Sequence, residues 1–155
     1  MAVHRYMRRT HIQAPAERVF RWHEQPAAFE KLVPPGELVR VMSQTGGIRN
    51  GGRAELAIGR WPARIRWIAE HDQYVEDRQF RDVQTRGPFR RWEHTHIVEP
   101  DGPDACHLED RVEYELPFGW LGETLLGNIV ASKIERLFEY RHHVTRMENE
   151  DQGRG

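Results

Sequence analysis

Trp92, His94, His96 and Val98 alternate with Arg91, Glu93, Thr95 and Ile97. Residues two apart on a strand share a face, so this spacing sets two imidazoles side by side. The same alternation runs through Leu108, Asp110, Val112, Tyr114 and Leu116. Its apolar members mark that face as the covered one, which makes Asp110 a carboxylate among buried groups. A hairpin turning at Asp101-Gly102-Pro103 brings Asp110 opposite His94 or His96. Such a carboxylate needs donors; an imidazole N–H supplies one and is oriented by it in return. The cluster fits three roles: a polar lining that orients a ligand, a structural network, or proton transfer. Two histidines and a carboxylate also match a three-ligand metal site. No metal-binding loop accompanies them, so the expectation is a hydrogen-bonded cluster with no metal and no organic cofactor.

Other residues gather around this group. Phe80, Asp82 and Gln84 share parity ahead of the Gly87-Pro88 turn, which places Asp82 and Gln84 toward the mouth of any pocket. Trp67 and Tyr114 supply aromatic area as core or pocket wall, and Trp92 is the aromatic closest to the polar set. Arg141 either reaches a sheet carboxylate or joins His142 and His143 as a cation favoured at a helix C-terminus. No glycine-rich phosphate loop and no Gly-x-Ser-x-Gly elbow occurs, and Cys106 has only His107 beside it as a base. Nucleotide binding through a standard loop and covalent catalysis are disfavoured.

The elements that must position these residues follow from patterning. His4 to Gln13 is strand-like; Pro15 then opens a short helix carrying Val19, Phe20 and His23, Pro26 interrupts it, and Ala27 to Leu32 forms a second turn. Leu38–Gln44, Arg53–Gly59, Ala63–His71, Val75–Gln84, Phe89–Glu99 and Ala105–Leu116 read as an antiparallel meander punctuated by glycine and proline. After Pro117-Phe118-Gly119, the residues Leu121, Leu125, Leu126, Ile129, Val130, Ile134, Leu137, Phe138 and Val144 recur at helical spacing. They predict one long amphipathic helix ending near Met147. A one-sided sheet must be covered, and only this helix is long enough to do it.

The 155 residues carry 23 basic and 24 acidic side chains for a net charge of -1. That balance gives no cationic field for nucleic acid. A single cysteine excludes an internal disulfide and fits a reducing cytoplasm. No signal-peptide stretch and no run of about 18 uncharged apolar residues is present, so stable membrane insertion is not expected. The expected organisation is one domain over residues 2–147 and a flexible tail over 148–155.

Several motifs resemble a known superfamily: Ala14-Pro15-Ala16-Glu17-Arg18-Val19-Phe20, Gly87-Pro88-Phe89 with Trp92, His94 and His96, Asp110 with Tyr114, Pro117 and Gly119, and Leu137-Phe138-Glu139-Tyr140-Arg141-His142. The chain resembles the START-related SRPBCC superfamily, which includes birch-pollen-allergen-like proteins, polyketide cyclases and lipid-transfer domains. The later motifs are similar to a bacterial subgroup sometimes labelled cell division inhibitor. The resemblance implies an α+β helix-grip fold, a curved antiparallel sheet of about six or seven strands around the long helix, with two short helices after the first strand. It also implies a deep hydrophobic cavity between sheet and helix, with Trp67, Gln84, Trp92, His94, His96, Asp110 and Tyr114 as candidate ligand contacts. The leading expectation is a cytoplasmic binding protein for a small hydrophobic or lipid-like molecule, without catalysis. The alternatives are a cyclase- or dehydratase-like enzyme using the His/Asp cluster, and a protein-interaction module with a collapsed cavity.

Overall fold

The computed structural model, which describes residues 2–152, orders its elements as β1 (His4–Ile12), α1 (Ala16–Glu24), α2 (Pro26–Lys31), β2 (Val39–Thr45), β3 (Arg53–Ile58), β4 (Ile65–Val75), β5 (Gln79–Arg86), β6 (Arg91–Pro100), β7 (Cys106–Glu115) and α3 (Gly119–Asp151). One seven-stranded sheet runs β1-β7-β6-β5-β4-β3-β2, with every neighbouring pair antiparallel. This is the expected α+β helix-grip arrangement. β1 returns to pair with β7, so the first strand and the last lie side by side beneath α3.

Burial follows the pleat. On β6 the even residues Trp92, His94, His96 and Val98 are buried while their odd neighbours are half-exposed. β7 buries Leu108, Asp110, Val112 and Tyr114. The core falls into three parts, of which the smallest, Trp22, Ala28 and Leu32, joins α1 and α2 to Val144 of α3. Ile12, Val19, Phe20, Phe80, Val98 and Leu108 pack beneath α1. Trp92, Val112, Tyr114, Leu116, Ile134 and Phe138 pack beneath α3.

Three expectations are corrected. The β4–β5 turn falls at residues 76–78 rather than 72–74, with β4 running on to Val75. It lacks glycine, using Asp77 in the left-handed region at φ 57°, one of the few side chains that tolerate it. Secondly, α3 continues past Met147 to Asp151, and Asn149 in the segment expected to be a tail is fully buried. Lys31 and Arg18 hold that last turn through Glu148 and the Asn149 carbonyl; residues 153–155 lie outside the described part. Thirdly, the apolar stripe of α3 is two-sided. Leu121, Leu125 and Ile129 are exposed, and Leu125 stands nine residues, two and a half turns, before buried Ile134 and hence on the opposite face. Between sheet and helix, where the resemblance implies a deep cavity, Trp92, Tyr114, Ile134 and Phe138 pack together.

Gly122 locks the start of α3, because a Cβ there would meet the Pro117 carbonyl oxygen at 1.9 Å. Phe138 is fully buried at the centre of the sheet–helix contact. Phe138→Ala is expected to cost about 3 to 5 kcal/mol in chemical denaturation, whereas Leu125→Ala on the exposed face should stay within about 0.5 kcal/mol. Equal losses at the two positions would contradict this packing.

Candidate functional site: a buried histidine–aspartate network

The register of β6 and β7 pairs His96 with Asp110 and His94 with Val112. Asp110 thereby lies between the two histidines on the inward face. Its Oδ1 accepts from His94 Nε2 at 2.8 Å and lies 2.8 Å from His96 Nδ1. Its Oδ2 accepts from His142 Nε2 on α3 at 2.7 Å. On the other side β5 pairs Asp82 with His94, and Asp82 Oδ2 accepts from His96 Nε2 at 3.3 Å and lies 3.0 Å from His94 Nδ1. Each of the two β6 rings therefore bridges both carboxylates, with ring centres 3.7 Å apart. Phe80 stacks on His96 at 4.2 Å, and Phe138 meets the His94 ring edge-on at 4.8 Å.

Electrostatics settle who carries charge. Burial opposes the positive form of His94, but Asp82 and Asp110 overcome it and raise its pKa from 6.5 to about 9. As the cation, His94 presents an N–H to each of the two carboxylates. Burial likewise opposes ionisation of Asp82 and Asp110, yet the surrounding histidines hold both carboxyls below their ordinary value. Arg141 feels both carboxylates, although its own burial lowers its pKa. His94 and Arg141 thus set positive charge against the two carboxylates, as a low-dielectric site requires. The outer members are different. His23 gives Nδ1 to the Val19 carbonyl at 2.8 Å; its burial, reinforced by the neighbouring His96, lowers its pKa from 6.5 to about 4. His71 is also lowered, chiefly by burial.

Of the residues singled out from sequence, His94, His96 and Asp110 are brought together and fully shielded. Trp92 and Tyr114 form the adjoining layer, and Trp67 stands half-buried with its ring 5.3 Å from Trp92. Gln84 is elsewhere: its amide spends both ends on the backbone of Phe89, at 2.8 and 3.3 Å, and so braces the β5–β6 turn. Asp82, expected near a pocket mouth, is instead a full member of the network. Arg141 bonds the Leu32 carbonyl at 3.3 Å and lies over the rings of Phe29 and Phe138. Sequence reasoning missed His142, treated as a helix-end cation, together with Thr10 and His23. The signal for His142 was present: it stands one turn after Phe138 and two after Ile134, on the inward face. Its Nδ1 meets the Thr10 hydroxyl at 2.7 Å, and both residues line a groove of about 530 Å³ between β1 and α3. Cys106 is buried and its thiol is pushed up to about 11 by burial and by Glu17, which leaves it inert as a nucleophile.

A curved seven-stranded antiparallel sheet around a long C-terminal helix, with two short helices after the first strand, is the helix-grip fold of the SRPBCC superfamily. Solved structures agree in fold. The Zhui aromatase/cyclase from Streptomyces sp. R1128 superposes with a TM-score of 0.74 at 13% identity, covering 96% of this chain and 94% of that one. A START superfamily protein from Mycobacterium smegmatis gives 0.71 at 15% identity, over 96% and 99% of the two chains. A nucleoside-diphosphate sugar epimerase from Corynebacterium glutamicum gives 0.72 at 23% identity, over 92% of this chain but 28% of its own. The chain belongs to the polyketide cyclase / dehydrase and lipid transport family, whose profile matches residues 12–141. No curated protein matches the chain.

The two kinds of histidine give the stability profile a sign on each side. His94 has a folded pKa above 6.5, so its contribution is complete below that value and is lost as pH rises through about 9. His23 has a depressed folded pKa, so its contribution is complete above 6.5 and is lost as pH falls toward about 4. Denaturation midpoints across this range should peak near pH 6.5. His94→Gln should flatten the alkaline limb; stability that climbs between neutrality and the folded pKa of His94 would contradict its charged assignment.

Proposed function

We propose that the protein binds a small hydrophobic or lipid-like molecule at the end of the sheet where α3 begins, without catalysing a reaction on it. The observation that carries this reading is the exposure of large aromatic side chains at that end. The registers Ile58 with Ile65, Ile68 with Arg86, and Arg91 with Glu115 put the β3–β4, β5–β6 and β7–α3 connections at the same edge. There Trp61, Phe118 and Trp120 are 78%, 80% and 78% exposed. Phe118 holds a left-handed backbone at φ 66°, a costly conformation for a bulky residue that turns an apolar ring toward water. Exposed apolar area of this kind gains free energy when an apolar ligand covers it.

At the same end of the sheet stands an interlocked aromatic wall. Phe89 lies 5.7 Å from Trp67, 4.9 Å from Trp92 and 5.7 Å from Tyr114. In the proposal a ligand rests on Trp67 and Phe89, with Trp92 and Tyr114 as the second layer and the His94–His96–Asp110 network as the polar floor that fixes both. The acid–base alternative is weaker, because both ring nitrogens of His94, His96 and His142 already face a carboxylate or a hydroxyl. A cyclase base needs a nitrogen within reach of substrate. A second reading, an interaction module, rests on the exposed stripe Leu121, Leu125 and Ile129, which faces away from the wall.

Titration with the neutral fluorescent probe N-phenyl-1-naphthylamine tests the proposal. Saturable binding is expected, weakened about tenfold or more by Trp67→Ala or Phe89→Ala, about 1.4 kcal/mol for each tenfold, and left unchanged by Leu125→Ser. Binding that ignores Trp67 and Phe89 would overturn it. Self-association abolished by Leu125→Glu would favour the interaction module.

A further inference from the structure

The outward face of the sheet carries a second histidine group, remote from the buried network in orientation if not in sequence. β1 and β7 pair His11 directly with His107. Both belong to the odd, outward set, opposite in parity to Thr10, Ile12, Leu108 and Asp110. Their rings lie 5.1 Å apart, edge to face. The β6–β7 turn, closed by the Asp101 amide donating to the Ala105 carbonyl at 2.9 Å, swings the Asp101 carboxylate over the pair. Its Oδ2 comes within 3.3 Å of His11 Nε2. One ligand atom from each of the three residues lies within 4.8 Å of the other two.

We propose that His11, His107 and Asp101 form a binding site for a first-row divalent transition ion, zinc being the reference case. Two imidazoles and one carboxylate are the ligand set of a three-coordinate protein site that leaves a fourth position to water. Imidazole donors select such ions over magnesium and calcium, which take all-oxygen shells. The three residues come from two strands and a turn whose backbones are fixed by the ladder, so only side-chain rotamers remain to be ordered. The His11 and Asp101 side chains are 46% and 57% exposed, hence an ion enters from solvent without opening the fold. Glu99 faces His107 from β6, and its carboxylate is held by Arg9 at 3.1 Å, which leaves Asp101 as the carboxylate of the site. Asp82, His94 and His96 also have ligand atoms within 4.8 Å of one another, but their nitrogens are committed to carboxylates in the buried network, so the outer group is the one available to an added ion.

A bound ion would clip the edge strand β1 to β7 and to the β6–β7 turn, on the reverse side of the strands that hold Thr10 and Asp110. Binding to the folded state alone raises stability with ion concentration.

The test is titration of the full chain with cobalt(II), followed by its visible absorption, and with zinc(II) by calorimetry. One equivalent is expected to saturate. His107→Ala and Asp101→Asn should each weaken zinc at least tenfold, and the double variant His11→Ala/His107→Ala should abolish it. All three substitutions fall on the outward face and should leave circular dichroism unchanged. His96→Gln, in the buried network, should leave the affinity intact provided circular dichroism shows it folded; His71→Gln, at the rim of that network, serves as a second control. Absence of saturable binding would overturn the assignment. Binding that survives the double variant, or that is lost in folded His96→Gln, would overturn it equally.

Discussion

A carboxylate moved from water into the middle of a sheet costs several kcal/mol unless donors replace its hydration, and at Asp110 three imidazoles do so. Two come from the neighbouring strand β6 and one from α3. Satisfying that single side chain therefore fixes the register of β6 against β7 and the rotation of α3 at once. A one-residue slip of β6 would turn His94 and His96 outward and leave Asp110 unpaired. A rotation of α3 would withdraw His142 and Phe138 together, since they lie one turn apart. The network is then a specificity device as much as a source of stability: it discriminates against alternative packings that an apolar core alone would tolerate.

The consequence is a molecule with two different halves beneath one helix. Toward its C-terminus α3 is pinned by His142, Phe138 and Ile134 and by the short helices that hold Lys31 and Leu32 against it. Toward its N-terminus the helix is tied through Glu123 to His4 at 2.6 Å, while its apolar residues remain largely open to solvent. Polar satisfaction is concentrated where the packing is closed, and uncovered apolar area where it is open.

The sheet also separates chemistry by parity. On β1 and β7 the inward residues Thr10 and Asp110 serve the buried network, and the outward residues His11 and His107 face solvent across the same ladder. On the outward face Arg9 and Arg111 close over Glu109, which is buried although it points away from the core, while the exposed Arg9–Glu99 pair is of the kind that contributes little to stability at ordinary ionic strength. Histidines of one type thus meet opposite conditions within a single strand pair, which is why their roles cannot be read from residue type alone.

Alternation and turn chemistry were enough to place the sheet, the two short helices and the long helix, because a period of two or of 3.6 is a local property of the chain. The pairing of Asp110 with His94 and His96 was legible for the same reason, since a hairpin with a glycine turn nearly fixes which residues oppose. The β4–β5 turn was not, as Asp77 enters the left-handed region without the glycine that usually marks it. Nor was the membership of Asp82, His142, Thr10 and His23: they come from β5, α3, β1 and α1, and no short-range pattern states which of several inward polar residues will converge. The extension of α3 to Asp151 depends on contacts made by Arg18 and Lys31, more than a hundred residues away in the chain. The apolar residues of α3 showed the right period, yet only the finished packing decided that Phe138 is buried and Leu125 is not. Burial is a property of what the sheet can reach, and the curvature that sets this reach is written in the tertiary structure.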